Sequence, residues 1–255
     1  MRITIYLHAL SLRVLVSFIS FACLAEERFT PDHLASTYRD SAESLIRKAL
    51  DSDHGFERLA EMCDRFGPRF SGSATLEQAI DWALEEMEKD GFSKVRGEPV
   101  MVPRWVRGKE SLSIISPLEK SCRMLGLGGS VGTGPYGVVA EVLVVQSFEE
   151  LKANQVQAKG KIVLFNAPFT DYGATVVFRV RGAIEAAKAG AVASLIRSVG
   201  PFSMQTPHTG MMVSDDAVPC IPHAAITLED AMLLERMQER GDLLKVELHM
   251  EAQNM

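Results

Sequence analysis

The chain of 255 residues is long enough to bury a sizeable core in one or two domains. Hydrophobic residues make up 47% of it and charged residues 24%, which excludes a largely disordered chain. The net charge is −6 and no block of Lys or Arg stands out, so a nucleic-acid-binding surface is not expected.

The N-terminus has the layout of a secretory signal peptide. Arg2 and Arg13 come before an apolar run, residues 14–24, and the small residue Ala25 follows it. The run is too short to cross a bilayer comfortably. We therefore expect cleavage after Ala25, a mature chain in the secretory pathway and no membrane segment after cleavage. The alternative is a buried N-terminal helix or strand.

Three cysteines remain after that cleavage, Cys63, Cys122 and Cys220. Their wide spacing matches no zinc motif, and three cysteines form at most one intramolecular disulfide. Stability must therefore come from a hydrophobic core. Whether Cys122 and Cys220 pair is left open.

The first part of the chain is predominantly helical in pattern. Helices are predicted over residues 30–51, 56–66 and 75–90, and a strand over residues 94–102. In the third helix, Thr75 and Gln78 have the spacing of a capping box, and Gly91 stands where a left-handed residue closes a helix.

The pattern changes near Gly108 to short apolar strands mixed with helices. Strands are predicted over residues 112–115, 123–127, 138–145, 161–165, 193–196, 224–227 and 244–250. Helices are predicted over residues 174–189 and 228–240. Since a helix links two of the apolar strands, we expect a right-handed parallel crossover and an α/β fold.

The glycine-rich stretch, residues 126–137, contains two tempting motifs. Gly128 to Gly132 fits the G-x-S-x-G nucleophile elbow around Ser130, with Asp215 or Asp216 and His223 as possible triad partners. Gly132 to Gly137 fits G-x-G-x-x-G. Neither motif is followed by a helix, which both sites require. A flexible surface turn between strands is therefore the favoured interpretation.

The remaining candidates are weaker. Asp215 and Asp216 with His208 and His223 could supply some ligands of a metal site, but a zinc site needs three or four that converge. Trp105 stands between Arg104 and Arg107. It is interpreted as an interface aromatic at a domain joint, with a binding platform as the alternative.

Several segments, taken in order, resemble the carboxypeptidase Q family of secreted or lysosomal zinc exopeptidases. The resemblance runs from about residue 57 to residue 250. It rests on the segments Gly67-Pro-Arg-Phe-Ser-Gly-Ser73, Glu98-Pro-Val-Met-Val-Pro-Arg-Trp-Val-Arg-Gly108, Leu125-Gly-Leu-Gly-Gly-Ser-Val-Gly132, Ala140-Glu-Val-Leu-Val-Val145, Gly160-Lys-Ile-Val163, Ala193-Ser-Leu-Ile-Arg-Ser198, Thr206-Pro-His-Thr-Gly210 and Ala225-Ile-Thr-Leu-Glu-Asp-Ala231.

The resemblance implies an architecture. Residues 1–25 would be the signal peptide and residues 26–107 the incomplete N-terminal part of a peptidase domain. Residues 108–250 would be an inserted protease-associated (PA) domain, and residues 251–255 the return to the peptidase domain. The expected fold class is thus α/β, with a helical part of a zinc-peptidase domain followed by an inserted α/β module.

The resemblance also implies a function. The full-length family binds two zinc ions and hydrolyses short peptides or dipeptides, and its metal ligands follow the PA insert. No catalytic, cofactor-binding or metal-binding residue can therefore be assigned here, and the chain alone is expected to be inactive and to bind no zinc. The alternative is a stand-alone secreted PA-domain protein with a binding or regulatory role. A homodimer and an extracellular or lysosomal location are also expected.

Overall fold

The computed structural model describes residues 31–255, and the predicted signal peptide lies outside the described residues. The chain divides into two compact units. The first ends at Gly67 and the second runs from Pro68 to Met255. The second unit combines helices with a mixed sheet, so the α/β class predicted from the sequence is correct.

The first unit contributes two helices, α1 (Pro31–Leu50) and α2 (His54–Phe66). Their bounds agree with the predicted ones. α2 ends at Gly67, whose φ of 58° is a conformation that glycine adopts without strain. Neither helix has a buried residue. Large apolar side chains are exposed on both, namely Leu34, Tyr38, Leu45, Ile46, Leu50, Phe56 and Leu59.

The second unit begins with α3 (Ala74–Lys89), which buries Ala79 and Trp82. The predicted capping box at Thr75 is wrong. Ser73 is the N-cap, since its hydroxyl accepts a hydrogen bond from the Leu76 amide at 3.2 Å, while the Thr75 hydroxyl donates to the Pro68 carbonyl. Gly91 has a φ of 84° and closes the helix as predicted.

The strand predicted over residues 94–102 is also wrong, because this segment forms neither a strand nor a helix. Val100, Met101 and Val102 are exposed. The alternating pattern therefore has no sheet partner among the described residues, and pairing is what makes a segment a strand.

Ten strands follow. β1 (Trp105–Val106) pairs with β10 (Gln253–Asn254) in a separate two-stranded ribbon. The others form one sheet of order β3-β2-β9-β5-β6-β7-β8-β4. They are β2 (Glu110–Ser116), β3 (Lys120–Cys122), β4 (Met124–Gly126), β5 (Val138–Val145), β6 (Ile162–Phe165), β7 (Ala193–Arg197), β8 (His223–Ile226) and β9 (Lys245–Met250). β5 to β8 are parallel and the remaining pairs antiparallel.

Helices cover both faces of the parallel strands. α4 (Phe148–Ala153), α5 (Gln155–Ala158) and α6 (Tyr172–Lys188) precede β7, and α7 (Leu228–Glu239) precedes β9. Alternate residues of a strand point to opposite faces, so a strand covered on both sides is apolar throughout. Leu164 belongs to the core that includes α7, whereas its neighbours Val163 and Phe165 belong to the core that includes α4 and α6.

The crossover from β6 through α6 to β7 is parallel, as predicted. Small residues let α6 approach the sheet closely. A Cβ added at Gly182 would lie only 3.2 Å from the Phe165 ring and 3.1 Å from the His223 ring. A side chain at Gly182 would therefore crowd both rings and is tolerated only if one of them shifts.

One side chain completes the hydrogen bonding of β5. β9 pairs with β5 only as far as Glu141, which leaves the buried Val144 backbone without a strand partner on that side. The Gln238 carboxamide of α7 takes the role of the missing strand partner. It accepts a hydrogen bond from the Val144 amide at 2.7 Å and donates one to the Val144 carbonyl at 2.9 Å. α7 is thus fixed to the sheet by a pair of bonds like those of a strand.

Replacing Gln238 by leucine should lower the free energy of unfolding by about 2 kcal/mol, because a buried amide and carbonyl lose their partners. The measurement is urea unfolding monitored by circular dichroism. Gln157→Leu is the matched control, since Gln157 is exposed and only its backbone is hydrogen-bonded. Equal stabilities of the two variants would show that the paired bonds contribute nothing net.

Candidate functional site

The chain enters and leaves the α/β module at one place. The incoming residues 104–109 and the outgoing residues 250–255 lie side by side, and together they are called the neck here. β1 and β10 pair antiparallel within it, with Trp105 opposite Asn254. Arg104 and Met255 exchange two further backbone hydrogen bonds, and the Glu251 amide donates to the Lys109 carbonyl at 3.0 Å.

Trp105 packs the neck against the glycine-rich stretch. Its indole Nε1 donates to the Ser130 carbonyl at 2.9 Å. The Arg107 guanidinium lies over its ring, with the Arg107 Cζ 4.9 Å from the ring centroid, and the Phe70 ring contacts it edge-on at 6.3 Å. Trp105 is therefore half-buried between the incoming segment and the glycine-rich stretch, and its interpretation as an interface aromatic at a domain joint stays a prediction.

The glycine-rich stretch holds the outgoing segment. A Cβ added at Gly132 would lie 2.7 Å from the Met250 carbonyl oxygen. Beside it, the Thr133 amide donates to the Met250 carbonyl at 2.9 Å, and the Met250 amide donates to the Thr133 hydroxyl at 3.0 Å. The expectation of a flexible surface turn is thus only partly correct. The stretch connects strands, but it is packed against the neck and Ser130 is fully buried.

The Arg107–Glu110 ion pair at the neck joins β2 and β4, two strands that are not neighbours in the order of the sheet. Arg107 donates to the Gly126 carbonyl of β4 at 2.5 Å and to the Glu110 carboxylate of β2 at 3.2 Å. The same carboxylate accepts from the Gly126 amide at 3.0 Å. The sequence analysis named Arg107 only as a neighbour of Trp105 and did not single out Glu110, because only the fold brings residues 107 and 110 beside residue 126.

The geometry does not support a serine hydrolase. The Ser130 hydroxyl donates to the Val131 carbonyl and accepts from the backbone amide of His223 at 2.9 Å. The His223 ring lies elsewhere, with its nitrogens 3.2 Å from the carbonyl oxygens of Ser194 and Arg179. Asp215 caps the Ala217 amide. Among the described residues, the Ser130 hydroxyl therefore has no imidazole partner to act as its base.

A metal site is not formed either. Within residues 31–255, no three His, Cys, Asp or Glu side chains converge on a point that could hold a metal ion. His223 is fully buried, whereas His208 is exposed beside Tyr172. The described residues therefore do not fit a zinc ion.

The three cysteines are free thiols, so Cys122 and Cys220 do not pair. Burial, together with the nearby Asp230 carboxylate, raises the pKa of the Cys122 thiol to about 11. Cys122 is therefore protonated at neutral pH and a poor nucleophile. Cys63 and Cys220 are exposed.

Comparison with known proteins finds relatives that match most of this chain in sequence. No family model matches the sequence. The chain is 49% identical to carboxypeptidase Q of Xenopus laevis over 222 residues, which cover 86% of this chain and 47% of the relative. It is 47% identical to carboxypeptidase Q of Homo sapiens, covering 84% of this chain and 46% of the relative. The chain thus spans about half the length of the curated relatives it matches.

Solved structures give the same result. A peptidase M28 precursor from Shewanella amazonensis SB2B superposes with a TM-score of 0.79 at 33% identity, over 86% of this chain and 51% of that one. A zinc aminopeptidase from Bacillus subtilis superposes with a TM-score of 0.52 at 20% identity, over 78% and 43%. The second likeness concerns the fold alone.

Replacing Gly132 by alanine should destabilise the module by about 2 kcal/mol, because the added methyl group meets the backbone of the outgoing segment rather than a movable side chain. Urea unfolding monitored by tryptophan fluorescence measures the change, since Trp105 lies at the neck. Gly200→Ala is the control, because the nearest atom to its new Cβ would be 3.8 Å away. Unchanged stability of the Gly132 variant would contradict the close packing of the neck.

His223 should make the module sensitive to acid. Burial lowers the pKa of His223 from 6.5 to about 4, although the carbonyls of Ser194 and Arg179 oppose the shift. A lowered folded pKa gives stability that is complete above pH 6.5 and is lost as the pH falls toward 4, because the unfolded chain takes up the proton first. Between neutral pH and about pH 4.5 the loss from this residue should be about 2 kcal/mol.

Chemical unfolding at the two pH values tests this expectation. His223→Gln, which cannot be protonated in this range, should lose about 2 kcal/mol less than the unaltered chain on acidification. His249→Gln is the control, because that imidazole is partly exposed on β9 beside Glu247. Identical pH dependence with and without His223 would refute the assignment.

Proposed function

Since this chain is homologous to the carboxypeptidase Q family, we propose that it forms the N-terminal part of a zinc metallopeptidase that hydrolyses short peptides or dipeptides. The observation that carries the proposal is the length of the sequence match. A match over 86% of the chain must include most of the helical part as well as the α/β module. The homology therefore extends over both the helical part and the α/β module and is not limited to one shared module.

We propose that residues 26–107 belong to the peptidase domain and that residues 108–250 are a PA domain inserted into it. Two features of the structure support this division. The α/β module has its own hydrophobic cores on both faces of its sheet. Its incoming and outgoing segments are paired at the neck, which allows such a module to be inserted into another domain without separating the flanking chain.

The metal chemistry would be supplied by residues outside this sequence. Zinc in such an enzyme polarises the peptide carbonyl and lowers the pKa of a bound water. The residues described here do not form a zinc site, so their proposed role is to bind, cover and orient. The neck is the part that sets the position of the PA domain relative to the chain on either side of it.

We further propose a location in the secretory pathway, either extracellular or lysosomal, based on the signal-like layout of residues 1–25. No helix in residues 31–255 is both long and apolar enough to span a bilayer. A homodimer is also proposed, and the exposed apolar side chains of α1 and α2 are compatible with a further partner.

The alternative function is that of a stand-alone secreted protein that binds or regulates without catalysis. One observation favours it. The sheet, both of its cores and the neck are complete within residues 104–255, so the module needs no peptidase sheet to bury its own apolar residues.

Fragment complementation tests the proposal. The purified 255-residue chain is assayed for bound zinc and for dipeptide hydrolysis, alone and mixed with the half of Xenopus carboxypeptidase Q that it does not match. We expect neither zinc binding nor hydrolysis by the chain alone, and zinc-dependent hydrolysis by the mixture. The front half of the Xenopus protein with the same back half is the positive control.

Two results would contradict the proposal. Zinc-dependent hydrolysis by the chain alone would place the catalytic residues within these 255 positions. A stable, monodisperse chain that does not restore activity, while the Xenopus front half does, would favour the binding role.

A further inference from the structure

The connection from β7 to β8 begins with a closed segment, residues 199–207, which is called the 199–207 loop here. Its two ends are pinned together, because the His208 amide donates a hydrogen bond to the Ser198 hydroxyl at 2.8 Å. The Ser198 hydroxyl is buried and donates in turn to the Ile226 carbonyl of β8. The base of the loop is therefore fixed to the sheet.

The tip of the 199–207 loop is apolar and exposed. The side chains of Phe202 and Met204 are 82% and 87% exposed, and the loop contains no charged residue. Its turn is ordered from within, since the Thr206 amide donates to the Ser203 hydroxyl at 3.2 Å and the Thr206 hydroxyl donates to the Met204 carbonyl at 3.3 Å. These internal bonds allow the tip to move as one body about its base.

Glu229, in the first turn of α7, holds the body of the loop. Its Oε1 accepts a hydrogen bond from the Gln205 amide at 3.2 Å. Gln205 has a φ of 58°, a left-handed conformation that residues other than glycine adopt at a cost in free energy. Hydrogen bonds from its own amide, and then from Gln205 and Ser203, lower the pKa of the Glu229 carboxyl. The loop is thus held in a strained conformation by an ionised carboxylate.

Two opposite charges close to this point lack partners. The Oε2 of Glu229 is buried and accepts no hydrogen bond from the described residues. The Nε of Arg197, the last residue of β7, is buried and makes no hydrogen bond either. Within residues 31–255, no acidic side chain forms an ion pair with this guanidinium. A buried polar group without a partner is unfavourable, so a state in which these two groups pair would gain free energy.

The fold places Arg197 and Glu229 on adjacent elements. Arg197 is opposite Ile226 in the β7–β8 register, and Glu229 follows Ile226 by three residues. Because strand residues alternate between faces, Arg197 lies on the same face of the sheet as Leu195, which belongs to the core that includes α7. A change in the Glu229 side-chain rotamer can therefore bring its carboxylate toward the guanidinium.

Glu235, another acidic side chain of α7, is already engaged. Its two carboxylate oxygens accept hydrogen bonds from the Gln146 carboxamide at 2.7 Å and from the Asn166 carboxamide at 2.8 Å. Glu229 is therefore the carboxylate that has a free oxygen. Two glutamates on one helix also disfavour a bound anion, so the partner of Arg197 is expected to come from the chain itself.

We propose that the 199–207 loop is a lid with two positions and that Glu229 switches between them. In the latched position, Glu229 holds the Gln205 amide and Arg197 is unpaired. In the released position, Glu229 pairs with Arg197, and the loop swings about its base as Gln205 leaves the left-handed conformation. Release gains an ion pair and relieves strain but loses the bond to Gln205, so the two positions are similar in free energy. The proposal does not depend on the chain belonging to an active peptidase.

Exchange of the Gln205 amide hydrogen with solvent, measured by NMR on the whole 255-residue chain, reports release. Arg197→Gln is the main test, because Arg197 makes no hydrogen bond to the latched loop. Its loss should destabilise only the released position and slow the exchange by about threefold or more. Arg240→Gln is the charge-matched control, since Arg240 pairs with Asp242 after the far end of α7. It should leave the rate within about 1.5-fold.

Glu229→Ala tests the latch itself. Removing the carboxylate should speed exchange of the Gln205 amide by about fivefold or more, because the amide loses its charged acceptor. Glu239→Ala is the matched control, since Glu239 is an exposed glutamate at the other end of the same helix.

Nitrogen relaxation dispersion on the unaltered chain needs no substitution, so the proposal stays testable if Arg197→Gln does not fold. Lid motions take microseconds or longer, which is the range that this measurement detects. We expect dispersion at the Gln205 amide and at the Arg197 Nε with one common exchange rate.

Three results would overturn the proposal. The first is unchanged or faster exchange of the Gln205 amide in Arg197→Gln. The second is equal slowing by Arg197→Gln and Arg240→Gln, which would reduce the effect to one of net charge. The third is the absence of dispersion at the Arg197 Nε, or a rate there that differs from the rate at Gln205.

Discussion

The α/β module depends on the return of its chain to the point where it began. The last strand of the eight-stranded sheet, β9, lies between β2 and β5 in its interior, so residues far apart in sequence must meet there. The neck fixes this meeting, since Arg104, Lys109 and Thr133 all form hydrogen bonds with residues 250–255. Because the partners are more than 100 residues apart, their pairing closes nearly the whole module into one loop.

The local elements were predictable because their signals are local. The strands at residues 138–145 and 244–250 have apolar patterns that occur only in sheets buried on one or both faces. The bounds of the major helices also agree within a few residues. One error, the helix cap, occurred where two local signals compete, whereas the strand predicted over residues 94–102 failed because no partner strand lies beside it among the described residues. Ser73 and Thr75 are both good caps, and the hydrogen bond of Thr75 to Pro68 decides between them.

The candidate site could not be predicted in the same way. The Glu110 carboxylate accepts a hydrogen bond from the Gly126 amide, and nothing in the sequence around residue 110 indicates it. Ser130 fits a catalytic motif because glycine residues surround it, yet those glycines serve close packing. The sequence resemblance to a peptidase family was confirmed by the comparisons, whereas the boundary near residue 108 remains a prediction. The pattern of a single segment predicts whether it forms a helix or a strand. Contacts between segments far apart in sequence become visible only in the folded structure.

The ends of the eight-stranded sheet have a consequence for the solution behaviour of the module. β3 is only three residues long, and its Lys120 forms an ion pair with the buried Asp230. At the other end, the backbone of Gly126 in β4 is already bonded to Arg107 and Glu110. Unpaired strand edges recruit strands from other molecules, and short or occupied edges resist this. The module therefore carries protection against edge-to-edge aggregation at both ends of its sheet, so its copies should stay apart in solution without a partner covering either edge.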